Sequence, residues 1–219
     1  MDPSEIDKDF KYDANVYREK KPSTANEDVL DAITMTTVPP QYLHGPDDPD
    51  GHTEWLVKGN TKKKVLQTPG HPKPIPKTRR VKFVIKPTAT MGMGMFATRD
   101  IPYGELILSE RPLLVFPRSL NLGYKAPAHY SLEQFHKVVL METEKKLELM
   151  LARMKEEDRN AYIDLSNSHK EDGSGPLVGI MRTNGFGIGG LADGPQGAPI
   201  TVSNGYLAVC KLASRINHR

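Results

Sequence analysis

Between Val81 and Lys86 the chain alternates: Val81, Phe83 and Ile85 on one side, Lys82, Val84 and Lys86 on the other. That is the period of a strand with one buried face. Past a glycine-rich turn, "GELILSE" (residues 104–110) sets Leu106 and Leu108 against Ile107 and predicts a second strand. "PLLVFP" predicts a third, short and bounded by prolines. Then the period changes. Leu132, Phe135 and Val139, followed by Leu147, Met150, Leu151 and Met154, recur at helical spacing. Ser131 with Gln134 three residues on is a capping-box signature and sets the helix start. A shorter helix is predicted over Glu156 to Leu165. From "GPLVGIMRTNGFGIGG" onward, Asn-Gly and Gly-rich turns predict a return to short strands, with Tyr206 a packed strand aromatic. Alternating Met91, Met93 and Met95 read as a packed core face.

Residues 1–80 hold no sustained period of either kind. "VPPQYLHGPDDPDG" and "TPGHPKPIPKTRR" remove backbone donors and block helix, which predicts a largely disordered arm. Within it, a short helix around Asn26 to Thr34 and one large apolar anchor, Trp55, stand out. The fold class that follows is α+β: a mainly β domain of short strands over 81–219, interrupted by a helical insert at about 128–170. No internal repeat is present.

Charge divides the chain further. Residues 1–54 carry 5 Lys/Arg against 13 Asp/Glu, residues 55–99 carry 11 Lys/Arg and no acid, and the remaining 120 hold 14 of each sign. The basic stretch 55–99 reads either as a solvated linker or as an arm tethering the protein to nucleic acid or chromatin. Lys62-Lys63-Lys64 resembles a weak nuclear-import cluster. Between Lys58 and Arg99 the aromatics are Phe83 and Phe96 alone, so no base-stacking platform is visible. The single cysteine, Cys210, excludes an internal disulfide and a Cys-rich zinc site, and no metal site is assigned. Cys210 itself reads as a small buried hydrophobe, and the helix charges Glu142, Glu144, Lys145 and Lys146 as a solvated face. With no apolar run of membrane-spanning length and a polar start, the expectation is an intracellular protein of nucleus or cytoplasm without membrane contact.

The candidate chemistry sits in "MGMGMFATRDIPYGELILSE", residues 91–110. A phosphate loop needs Lys-Ser/Thr after its last glycine, whereas Gly94 precedes Met95 and Phe96. A dinucleotide loop needs the glycines to open a helix, which Pro102 and Gly104 forbid. A plain β-turn with glycines at positive φ remains available.

The same stretch, "GMGMFATRDIPYGELILSE", resembles the opening of SET domains: Gly-x-Gly, a hydrophobic residue, Phe-Ala, charged residues, then Gly-Glu-hydrophobic-Ile. "LASRINH" resembles the SET motif in which Arg-x-Asn-His precedes Ser-Cys-x-Pro-Asn. "RTNGFGI" resembles the Asn-Ser-Phe-x-Ile strand of the split-SET branch, and the helical segment resembles the insert of fungal members without a MYND finger. Across roughly 81–219 the resemblance implies a SET-type fold and a protein lysine methyltransferase relative, which moves a methyl group from S-adenosylmethionine to a lysine of a histone or non-histone protein. It implies that Gly92, Met93 and Gly94 admit the cofactor to the backbone, with Ser214, Asn217 and His218 beside it. Asn184 and Phe186 would line the channel between cofactor and substrate. The family's Glu-Leu-x-x-Asp-Tyr motif has no counterpart, and Arg219 stands where Ser-Cys-x-Pro-Asn would begin. The expectation is a domain incomplete at its C-terminus, with no catalytic residue assigned and no turnover by the isolated chain. A non-catalytic, SET-derived interaction module is the alternative.

Overall fold

The first two strands lie where the sequence pattern predicts none. In a computed structural model describing residues 33–40, 48–119, 128–194, 197 and 199–216, β1 (Ile33–Val38) and β2 (Thr53–Lys58) pair antiparallel along their full length, from Ile33 opposite Lys58 to Val38 opposite Thr53. Helix α1 (Gly59–Leu66) follows at once, then β3 (Phe83–Pro87), β4 (Met93–Ala97) and β5 (Leu114–Pro117). The helices α2 (Leu132–Arg153), α3 (Glu156–Ile163) and α4 (Pro176–Asn184) come next. After them run β6 (Gly185–Ala192), β7 (Gly205–Val209) and a short 3-10 helix, Ala213–Arg215. Helix and strand thus share the described residues in a mixed α+β structure of short strands.

Five strands form one sheet in the order β1-β2-β5-β7-β6, while β3 and β4 make a separate antiparallel pair. β5 is parallel to β2 and antiparallel to β7. Every apolar residue of β5 is buried, as befits a strand covered on both faces. Leu114 and Phe116 point into the larger core with Leu56 and Val209, against Leu140, Leu147 and Met150 of α2 and Val178 and Met181 of α4. Val115 points the other way, joining Val57, Tyr206 and Ala208 over Trp55 and Ile188. Period-2 alternation in β2 and β5 therefore divides one sheet between two cores.

The arm expected over 1–80 is corrected for residues 33–38 and 53–66. The pattern hid β2 because its second residue is a charge: Glu54 is 2% exposed. It is accommodated by partners far away in sequence. Thr37 Oγ1 donates to Glu54 Oε1 at 2.5 Å, and Arg153 Nε, from the end of α2, donates to Glu54 Oε2 at 2.7 Å. Arg153 also donates to Thr37 Oγ1 at 3.0 Å, closing the set. The solvated-linker reading of 55–99 fails with it, since Trp55–Lys58, α1, β3 and β4 all belong to folded elements. Of the helix predicted around Asn26 to Thr34, Ile33 and Thr34 belong to β1 and the rest lies outside the described residues.

Other differences have local causes. "GELILSE" forms no strand; a turn from Pro102 O to Glu105 N opens it, and Leu106 O accepts from the Lys82 ammonium at 2.7 Å in place of a ladder. Residues 176–184 form a helix because Pro176 starts it and Glu144 caps it. The Glu144 carboxylate accepts from Leu177 N at 2.9 Å and Val178 N at 2.8 Å, so it is an anchor at a helix N-terminus and not a solvated charge. Gly175 makes room for it, because a Cβ there would stand 2.3 Å from Glu144 Cδ. Met91 is half exposed, so the three methionines do not share a core face. The capping box is as predicted: Ser131 Oγ accepts from Gln134 N and Gln134 Oε1 from Ser131 N.

Replacing Glu54 by Ala leaves Arg153 and Thr37 without their shared acceptor. The expected loss of stability is about 3 kcal/mol, the lower end for breaking a buried pair because Arg153 is itself partly exposed. Urea unfolding followed by circular dichroism measures it. Lys137→Ala, which breaks a surface i,i+4 pair with Glu133, is the control and should cost less than about 0.5 kcal/mol.

Candidate functional site

The β3–β4 hairpin carries the glycines, in register from Phe83 opposite Ala97 to Pro87 opposite Met93. Its turn is tied by Thr88, whose N and Oγ1 both donate to Gly92 O at 2.7 and 2.9 Å, while Met91 N donates to Thr88 Oγ1 at 2.8 Å. Gly92 sits at φ +67°, where a side chain is strained. The bland reading is thus fulfilled for Gly92: it does make the turn. Met93 begins β4 half-buried, and Gly94 is buried within the strand, opposite Lys86.

What faces the turn comes from three distant stretches. A Cβ on Gly92 would stand 3.4 Å from Ser166 Oγ, in the loop after α3. Ser166 O accepts from Asn184 Nδ2 at 2.7 Å, and Asn184 O accepts from Ser214 Oγ at 3.3 Å. Ser214 lies in the 3-10 helix, against which β4 packs, and its hydroxyl also accepts from Cys210 N at 3.1 Å. Two hydrogen bonds therefore link Ser166, Asn184 and Ser214, and the Gly92 turn lies beside Ser166.

Asn184 was expected in a strand and instead ends α4. Its amide donates to Ile180 O at 2.8 Å, a side chain extending the last helical turn, and it is 7% exposed. Phe186 does lie in a strand, half-buried in β6 opposite Ala208. Asn217 and His218 lie outside the described residues. Tyr206 is a packed strand aromatic as expected, 1% exposed; its hydroxyl donates to Asp193 Oδ1 at 2.6 Å and accepts from Lys58 N at 3.1 Å. Burial raises its hydroxyl well above the ordinary range.

Sequence reasoning missed the anchors of the 3-10 helix. Glu110 receives Leu212 N at 3.0 Å and Ala213 N at 2.6 Å, and Arg215 reaches Asp164 Oδ2 at 2.6 Å. Glu110 is 102 residues from Leu212, so no local pattern marks it. Burial raises the Glu110 carboxyl above its ordinary value, although the two backbone donors oppose the shift. Burial, assisted by the Glu110 charge, pushes the Cys210 thiol up to about 12. Among the described residues no group of three His, Cys, Asp or Glu is placed to hold a metal, and no helix is long and apolar enough to cross a membrane.

Comparison of the chain with protein-family models, with curated proteins and with solved structures finds no match. The class defined by fold and site is therefore a mixed α+β protein with a glycine hairpin seated against a side-chain-anchored 3-10 helix.

Two outcomes test these groups. A carboxyl whose folded pKa lies above its unfolded value favours folding below that unfolded value, near 4.5, and the contribution is lost as pH rises through the folded pKa. Glu110→Gln is therefore expected to flatten that fall, read as urea midpoints from pH 4 to 7 for both proteins. A thiol held near 12 is almost fully protonated at neutral pH. Cys210 should accordingly react with iodoacetamide at pH 7.5 at least roughly tenfold more slowly in the native protein than in urea, followed by mass spectrometry.

Proposed function

We propose that this chain is a SET-type domain that binds S-adenosylmethionine and serves methyl transfer to a lysine amine of a histone or non-histone protein. One observation carries the reading. Three stretches that the family resemblance singles out, at Gly92–Gly94, Asn184 and Ser214, lie in one neighbourhood although 120 residues separate the first from the last. Nothing in a plain hairpin turn requires that convergence.

The residues fit such a group in a specific way. The hairpin presents a turn without a side chain at Gly92, facing a polar cluster, and a Cβ there would both strain the backbone and approach Ser166. Gly92, Met93 and Gly94 would hold the cofactor through backbone groups, with Ser214, Asn217 and His218 supplying polar side chains. When bound, S-adenosylmethionine supplies an electrophilic sulfonium methyl group. The chain's own part is positioning, which supplies much of the rate when a nucleophile and an electrophile must meet in line. Asn184, locked by its two donated hydrogen bonds, gives the site a fixed wall. Phe186, beside it, would contribute apolar surface that penalises an ammonium and favours the neutral, nucleophilic amine.

Isothermal titration of the full chain with S-adenosylmethionine tests the reading. The expected result is saturable one-to-one binding, weakened at least roughly tenfold by Gly92→Val. A chain that keeps its circular dichroism spectrum and takes up no cofactor at about millimolar concentration, the weak end of specific binding, overturns it.

A further inference from the structure

The open end of the β3–β4 hairpin has its own chemistry. Lys82 immediately precedes β3 and Arg99 follows β4 by two residues, with Thr98 N donating to Lys82 O at 2.9 Å. By strand rise this end stands roughly 15 Å from the Gly92 turn. Here a cleft of about 480 Å³ opens between residues 77–82 and 99–106. Lys82 forms its floor, and its side chain is 6% exposed.

The hydrogen-bonding balance of that cleft is incomplete in both directions. An ammonium has three donors. Lys82 gives one to Leu106 O at 2.7 Å and one to Glu105 Oε1, which Arg99 also approaches at 3.3 Å. One Lys82 N–H is left over. Glu105 Oε2 is enclosed and receives no donor among the described residues, a costly state for a carboxylate oxygen. Lys82 holds the Glu105 carboxyl below its ordinary range, so this oxygen carries charge at neutral pH. On the wall, Arg79 and Arg80 are exposed and make no ion pair among the described residues. Lys77 is already matched by Asp50 at 3.2 Å. At the rim Val81 and Leu106 are 73% and 44% exposed.

We propose that this cleft is a binding site for an acidic peptide segment of a partner protein, in which carboxylates meet Arg79 and Arg80 while an apolar side chain lies against Val81 and Leu106. Charge selects an anionic ligand, because the cleft's cations outnumber its one carboxylate. A peptide brings acidic and apolar side chains together, whereas a phosphodiester backbone offers no apolar side chain and sets its charge against Glu105. Arginine forks match carboxylates in a bidentate fashion. Val81 and Leu106 give an apolar side chain somewhere to lie, and exposed apolar surface rimmed by charge marks protein contacts. No aromatic lines the cleft for base stacking. The site stands independently of cofactor binding at the other end of the hairpin.

Fluorescence anisotropy with the full chain tests this, using a short labelled peptide of Glu with interspersed Leu, the same peptide with Lys for Glu, and a labelled DNA duplex, all at about 0.15 M salt. The expected result is saturable binding of the acidic peptide, none of the Lys peptide, and weaker binding of the duplex. Arg79→Glu with Arg80→Glu is expected to weaken the acidic peptide at least roughly tenfold, and the double Gln variant by less, with circular dichroism and cofactor titration unchanged. Acidic peptide bound equally by wild type and the double Glu variant overturns the site. So does an acidic peptide that fails to bind. Preferential binding of the duplex, lost in the same variant, reassigns the cleft to nucleic acid and also overturns the proposal.

Discussion

Glu54 carries a charge into the middle of the main sheet, and the rest of the architecture is arranged around the need to match it. A lone ionised carboxylate at 2% exposure is not tolerated in a low-dielectric interior. It persists because Thr37 from β1 and Arg153 from α2 converge on its two oxygens. That requirement fixes two things together. β1 must lie beside β2 in the observed register, and α2 must end over this part of the sheet. Apolar burial alone is non-directional and permits a helix to slide by a turn. A charge matched by a guanidinium that also reaches Thr37 does not.

Once α2 is placed, the candidate site follows through a series of polar anchors. Glu144, two turns before the end of α2, receives the N-terminus of α4, and α4 ends on Asn184. Asn184 in turn clasps Ser166 on one side and Ser214 on the other. Few of these contacts bury much area, yet each specifies an orientation, and the glycine hairpin rests on the last of them. The cores supply cohesion; buried or half-buried polar groups choose the arrangement.

The sequence was legible where one element satisfies itself. The α2 start at Ser131 and the helical spacing of Leu147, Met150 and Leu151 depend on neighbours a few residues away, and each has its expected form. The alternation around Phe83 does give a strand, but it starts at Phe83, and the expected faces fail at its edge, where Val81 is exposed and Lys82 is buried. Legibility ended where a residue's partner lies far off. β2 was invisible because Glu54 breaks its apolar run and its counter-charge is 99 residues away. The "GELILSE" segment looked like a strand because its alternation is real, but a strand also needs a neighbour, and Lys82 takes the backbone carbonyl that a ladder would use. Asn184 read as strand because it precedes Gly-Phe-Gly, while its amide in fact completes a helix. Of the site, the glycines and Ser214 were visible as a motif, whereas Ser166 and Glu110 have no local signature at all.

The β3–β4 hairpin ties these observations together. An isolated two-stranded ribbon is marginal in water, and this one does not join the five-stranded sheet. Contacts on it include those of β4 with the 3-10 helix and, at the open end, the Lys82–Glu105 pair. Both proposed sites lie at its ends. At the turn Gly92 is exposed, and at the open end Arg79 and Arg80 are exposed. A ligand at either end would add contacts to a ribbon with few others, so binding and local order should rise together at the hairpin more than anywhere in the main sheet.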